Sequence, residues 1–180
     1  MAGPSTWIVA PPPGWRVSFD WAQFGSLEAV VVMTEKSFHY QIAVADLFSL
    51  VVSEDAAGQW MGAVVELEPE AGGVVVVAAP GWPVVSGHVE NIRWPDSVTF
   101  VWRAPDWPGP LRTVITLEPE ADGSRLCLTE TGYGTDDDLL RRRDYMWSHW
   151  LVRLAATGAQ FKPAGAPSGK HRPSGTCQPF

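Results

Sequence analysis

Cysteine is nearly absent from this 180-residue chain. Cys127 and Cys177 are too few for a disulfide framework, so the expected location is a reducing cytoplasm. No apolar run approaches the roughly 18 residues of a membrane span. Met1-Ala2-Gly3-Pro4-Ser5-Thr6 lacks the basic head and long apolar run of a signal peptide. Charge is sparse: Asp, Glu, Lys and Arg make up 18% of the residues, and 20 acids against 13 bases give a formal net charge of -7. A pI of about 5.0 argues against nucleic acid as a main partner, because phosphate binding needs a positive footprint. His39, His88, His149 and His171 are scattered, and the cysteines lack ligand spacing, so no metal signature is present. Neither a phosphate loop nor a nucleophile elbow occurs. No cofactor is expected.

What the chain has is apolar surface. Hydrophobic residues make up 46% and tryptophan alone contributes 10. That suffices for one domain with a sizeable core. Both ends differ from the middle. Ala10-Pro11-Pro12-Pro13-Gly14 cannot continue a helix or a central strand, whereas Trp15, Phe19, Trp21 and Phe24 are too aromatic for a free linker. Residues 1–36 therefore read as an extension partly packed on the domain, with Leu27–Met33 a short strand or, nearly as well, a buried helix turn. The Pro-, Gly- and Ser-rich residues 161–180 read as a disordered tail.

Between them, residues 37–160 read as the domain. Phe38–Val44 alternates as a strand. Asp46–Val52 reads as a short helix, and Ser53 caps a second one ending near Trp60. Six strands follow: Ala63–Leu67, Val74–Ala78, Val84–Ile92, Ser97–Arg103, Arg112–Leu117 and Arg125–Thr131. Gly72-Gly73 and Asp122-Gly123 supply the positive φ that tight hairpins need. Last comes a long helix. Thr135 to Asp138 offer caps and place negative charge at its positive end. Leu140, Arg143, Trp147, Trp150, Leu151 and Leu154 form one face, and Gly158 is a natural stop. This order predicts an α+β domain: an antiparallel sheet, curved around the long helix, with a cleft between them.

Several segments carry a family resemblance. They are Gly87-His88-Val89-Glu90-Asn91-Ile92, Val98-Thr99-Phe100-Val101-Trp102, residues 112–120 and residues 123–133. Trp147-Ser148-His149-Trp150-Leu151-Val152-Arg153-Leu154, Asp46-Leu47-Phe48 and Gln59-Trp60 add to them. Together they resemble the START-like (SRPBCC) superfamily, closest to its heat-shock-protein ATPase activator homologue branch. The resemblance covers about Ser37 to Ala159. It implies a helix-grip fold, two short helices after the first strand, and an internal cavity for hydrophobic ligands. It does not imply one reaction, since members include carriers, receptors, polyketide cyclases and chaperone regulators. Two motifs depart from the branch. Arg143-Asp144-Tyr145-Met146-Trp147 stands where many members have His-x-x-Gly-Trp, and Glu130 stands where many have His.

The candidate site follows from these faces. Arg143 falls on the apolar stripe of the last helix, where a charge needs a partner. Glu130 shares strand parity with Leu126 and Leu128 and can supply one. A carboxylate or polarised carbonyl on a ligand could supply another. Trp60, Trp102, Trp147 and Trp150 fall on elements that should line core or cavity. His88 and Tyr133 could move protons if they point inward. These eight are the expected ligand-binding residues; no catalytic residue is assigned. Arg141 and Arg142 are expected to pair with Asp137 and Asp138 one turn earlier. Cys127 reads as a buried or half-buried structural thiol. Three functions remain open: binding a small hydrophobic or aromatic molecule, cyclase or dehydratase chemistry in the same cavity, and chaperone regulation. Neither nucleic acid nor membrane is an expected partner.

Two truncations test the ends. Removing the residues after Pro163 should move the thermal midpoint by no more than about 2 °C, because the tail offers little apolar surface. Removing residues 1–26 should lower it clearly, since a large side chain contributes about 1.5–3 kcal/mol when fully buried. An unchanged midpoint would refute packing of the N-terminal aromatics.

Overall fold

The computed structural model describes residues 33–160. The expected strand over Leu27–Met33 meets them only at Met33. The N-terminal aromatics expected to pack on the domain, Cys177 and the tail lie outside the described residues.

Among the described residues, seven strands and three helices make up the fold. Strand β1 (Met33–Tyr40) is followed by helices α1 (Val44–Val52) and α2 (Glu54–Met61). Strands β2 (Val64–Leu67), β3 (Val74–Ala78), β4 (Val85–Arg93), β5 (Ser97–Arg103), β6 (Leu111–Glu120) and β7 (Gly123–Thr131) come next, and helix α3 (Asp137–Gln160) is the last described element. The sheet is antiparallel throughout, in the order β1-β7-β6-β5-β4-β3-β2. First and seventh strands are thus neighbours, and β2 forms the opposite edge. This is the helix-grip architecture expected from the order of elements.

Most elements sit where the residue pattern put them; β1 does not. The expected strand was Phe38–Val44, yet the strand occupies Met33–Tyr40 and Val44 already opens α1. The reason lies in its inward positions. Thr34 is buried and polar, and Lys36 reaches α3, where its ammonium pairs with Asp144 at 2.7 Å. Two inward residues are stabilised by specific partners rather than by apolar contact, so the alternation that marks a strand is missing. Strand β6 also runs past Leu117 to Glu120. Its tip extends beyond the last β5 pair, Ser97 with Thr116, and pairs with β7 alone. Pro119 is tolerated there because a proline has no N–H to give a central ladder.

The helices follow their local signals. The Ser53 side chain accepts a bond from the Ala56 amide and starts α2. Gly62, at φ 65°, ends it in the left-handed conformation that glycine adopts without strain. The amide of Leu139 donates to the Asp136 carboxylate at 2.8 Å, capping α3. At 24 residues, α3 is about 36 Å long by the 1.5 Å rise of an α-helix and lies across the sheet. Its buried face includes Leu140, Arg143, Met146, Trp147, Trp150, Leu151 and Leu154. Leu47, Leu50, Trp60, Val89, Ile115, Leu126 and Leu128 meet it in one core. Polar ends of buried aromatics find backbone acceptors: Tyr40 donates to the Leu151 carbonyl and Trp60 to that of Leu50, each at 3.0 Å.

The ladder between β4 and β5 is interrupted once. The register shifts between Val89 and Asn91, which leaves Glu90 as a bulge. Gly87 sits opposite Trp102, so close that a Cβ there would lie 2.0 Å from the Val101 carbonyl oxygen. Gly87→Ala should therefore cost about 1–3 kcal/mol in urea denaturation, by the usual penalty for overpacking. Gly109→Ala is the control: a Cβ there meets nothing within 4 Å, and the change should stay within about 0.5 kcal/mol.

Candidate functional site

The inner faces of β1, β7 and β6 place three polar residues in one row. In the register, Thr34 of β1 and Thr113 of β6 both lie opposite Glu130 of β7. Glu130 shares parity with Leu126 and Leu128, and its side chain is fully buried. Arg143 descends on it from α3. Its Nε donates to Oε1 at 2.8 Å and its Nη2 to Oε2 at 2.5 Å, a two-pronged ion pair. Arg143 is only 2% exposed. The Tyr133 hydroxyl donates to Oε1 at 2.6 Å, with Thr34 Oγ1 3.2 Å from the same hydroxyl. Thr113 donates to Oε2, and Trp102 Nε1 donates in turn to Thr113 Oγ1 at 3.1 Å. The carboxylate thus accepts four bonds, two from the guanidinium and two from hydroxyls.

Burial by itself would push the Glu130 carboxyl up, because it penalises the charged form. The Arg143 charge and the bonds from Arg143, Thr113 and Tyr133 outweigh it, and the group is held below the ordinary carboxylate range. Tyr133 moves the other way. Burial, then the Glu130 charge beside it, raise its hydroxyl well above the usual tyrosine value, so it stays a donor.

Around the guanidinium stand four indoles. Its central carbon lies 5.1 Å from the ring centre of Trp102, 5.0 Å from Trp107, 5.4 Å from Trp147 and 6.0 Å from Trp150. Aromatic faces attract a cation, more so where water is excluded. The rings also pack on one another. Trp147 meets Trp150 edge to face at 5.1 Å, and Trp150 meets Trp60 the same way at 6.0 Å. Trp147 Nε1 is buried and has no hydrogen-bond partner among the described residues.

Of the eight expected residues, seven converge on this network. His88 does not. It is exposed on the outer face of β4, opposite Val101 and Val74, because its parity is opposite to that of inward Val85 and Val89. Trp60, Trp102 and Trp147 occupy the core and fill the space between sheet and helix. A notch of about 30 Å³ lies open at the mouth of the cleft. Its walls include Val77, Val85, Trp82 and Trp107 from the sheet side, with Met146 and Trp150 from α3. Arg143 lies on its inner wall and Arg142 on its rim. The ion pairs of the helix start also differ from expectation. Arg141 pairs with Asp138, three residues back, and Arg142 reaches Asp106 of the β5–β6 loop at 3.6 Å. Arg142 turns toward the mouth of the cleft, away from Asp138. Cys127 is half-buried on β7, its Sγ 3.8 Å from Ser37 Oγ.

Thr34 and Thr113 were missed in the sequence. Thr113 carried a signal, since it shares parity with inward Leu111, Ile115 and Leu117. Thr34 carried none, for its role depends on which strand comes to lie beside Glu130.

A curved antiparallel sheet gripping a long helix, with two short helices after the first strand, defines a START-like (SRPBCC) domain. The family described as Activator of Hsp90 ATPase homolog 1-like protein matches residues 41–159, and the chain belongs to it. Solved structures share the fold. Protein MLL2253 from Mesorhizobium loti is 13% identical over 73% of this chain and 99% of its own, with a TM-score of 0.68. CalU16 from Micromonospora echinospora is 19% identical over 72% of this chain and 76% of its own, with a TM-score of 0.58. PFC0360w, an HSP90 activator from Plasmodium falciparum, is 16% identical over 69% of this chain and 94% of its own, with a TM-score of 0.60. No curated protein shows a significant match to the chain.

Breaking the ion pair on one side leaves a buried charge alone. Glu130→Gln and Arg143→Met should each cost about 3–5 kcal/mol in urea denaturation. Glu130→Gln combined with Arg143→Met should cost less than the sum of the two single changes, with a coupling of about 2–3 kcal/mol. The pH dependence has a definite sign. Glu130 is held below its unfolded value, so its contribution is full above that value, near 4.5, and fades as pH falls through the lower folded one. The native protein should lose stability on acidification below that point. Glu130→Gln should lack this part of the slope in denaturation curves taken from neutral pH to about pH 3.

Proposed function

We propose that this domain binds a small apolar or aromatic molecule at the notch, in a reducing cytoplasm, with neither nucleic acid nor membrane as a partner. One observation carries the proposal: the mouth of the cleft is a concave, mostly apolar surface with a single buried charged group on its inner wall. A few placed polar groups among apolar walls is the usual make-up of a small-molecule site. The notch holds about 30 Å³, whereas pockets for drug-sized ligands hold about 300–1,000 Å³. Only part of a ligand enters unless the rim loops, residues 79–84 and 104–110, move apart. The Arg142–Asp106 pair spans that rim and is half exposed, so it offers little resistance.

Binding is favoured over cyclase-type catalysis by the lining itself. Its ionisable members are Arg142 and Arg143, and an arginine stays protonated and cannot serve as a base. Tyr133 is committed to Glu130. Chaperone regulation, suggested by the HSP90 activator of the same fold, would call for a broad apolar docking surface. The large apolar residues exposed here, such as Val64, Val74, Trp94, Tyr145 and Val152, are spread over two strands, a loop and a helix face.

Naphthalene is a suitable first probe. It should shift the tryptophan emission and the Met146 methyl resonance in a saturable way. Leu139→Trp, which fills the notch from α3, should abolish both changes while the circular dichroism stays native. If naphthalene moves neither signal in the native protein, the notch is not a ligand site.

A further inference from the structure

Arg143 has five N–H donors, and Glu130 occupies two of them, one on Nε and one on Nη2. The remaining contact is weak: Nη1 faces the Met146 sulfur at 3.6 Å. A sulfur is a poor acceptor, so this edge of a buried cation has no oxygen partner among the described residues. Glu130 lies at the Nε and Nη2 edge. Nη1 is turned instead toward Met146, and the guanidinium lies against Trp107; both residues are walls of the notch. The unfilled donors therefore belong to the ligand side of the guanidinium.

Charge balance then selects the acceptor. Arg143 and Glu130 neutralise one another. A carboxylate or phosphate added at Nη1 would leave one surplus negative charge in an apolar, buried place, which is costly. Protonating Glu130 to remove the surplus would work against the donors that hold it ionised. A neutral acceptor avoids the problem, because it takes up the hydrogen bonds without changing the net charge. Size narrows the choice further. The notch is far smaller than the roughly 300–1,000 Å³ of a pocket for a drug-sized ligand, so it admits a small group such as a carbonyl and leaves the rest of the molecule outside. The body of such a molecule would rest at the rim, where Trp82 is 41% exposed.

We infer that the notch takes a neutral carbonyl compound, its oxygen on Arg143 Nη1 and its flat apolar body against Trp82 and Trp107. This rests on the notch being a ligand site at all, and the test separates the two. Acetophenone, ethylbenzene and benzoate share one ring and differ in the group presented. Each is titrated into the native protein and followed by the Met146 methyl and arginine side-chain N–H resonances. Acetophenone should bind about tenfold more tightly than ethylbenzene or better, the usual worth of a hydrogen bond to a charged donor. It alone should shift the Arg143 N–H signals, and benzoate should bind no better than ethylbenzene. Trp82→Ala should weaken acetophenone and ethylbenzene by the same factor and preserve their ratio. Equal binding of acetophenone and ethylbenzene would overturn the carbonyl assignment and leave an apolar site standing. Tighter binding of benzoate would overturn the charge-balance argument. Binding of none of the three would overturn the site itself, and the assignment with it.

Discussion

The ion pair between Arg143 and Glu130 cannot be held halfway. Removing either charge from water costs several kcal/mol, and only the partner and full hydrogen bonding compensate. Meeting that condition fixes the surroundings. Glu130 accepts from two hydroxyls as well as from the guanidinium, so Thr113 must face it from β6 and Tyr133 must fold back after β7. Thr34 must stand behind Tyr133 on β1. Trp102 must orient Thr113 from β5. One pair thereby sets the relative positions of four neighbouring strands and the long helix. An apolar cluster of the same volume would tolerate sliding; donors and acceptors at hydrogen-bond distance do not.

Tryptophan completes the arrangement. The helix-grip architecture leaves space between sheet and helix, and in this chain large flat rings fill it. Three of the four indoles around the guanidinium are buried, and together they exclude the water that would weaken the ion pair. The same rings limit what can enter. A wide internal cavity and a tightly enclosed cation compete for one volume, and the indoles decide for the cation. Openness survives at the mouth, where the β3–β4 and β5–β6 loops meet the first turns of α3.

The sequence made much of this visible. Short runs rich in β-branched and aromatic residues, with turn residues at both ends, marked β3 and β5 to the residue. A charge on the apolar stripe of α3 and another at inward parity on β7 were enough to join Arg143 to Glu130. Legibility failed wherever a residue derives its role from a distant partner. Lys36 and Thr34 look like solvent-facing positions until α3 and Tyr133 are placed over them, and β1 was misplaced as a result. His88 looked like an acid–base group only while its face was unknown. That the tryptophans fill the cleft is a matter of volume, which no local pattern records.

Strand order has a consequence for how the chain reaches this state. β1 is the first described element, yet its hydrogen-bonded neighbour is β7, almost a hundred residues later. The row of Thr34, Glu130 and Arg143 joins the start of the described chain to its end. During synthesis, β2 through β6 can pair hairpin by hairpin as they emerge. β1 has no partner until Gly123–Thr131 has left the ribosome, and Glu130 has no counter-charge until α3 follows. The domain is therefore a late-closing one: its meander assembles early from local contacts, and its ionic lock forms only when the final helix returns across the sheet to seal the two ends.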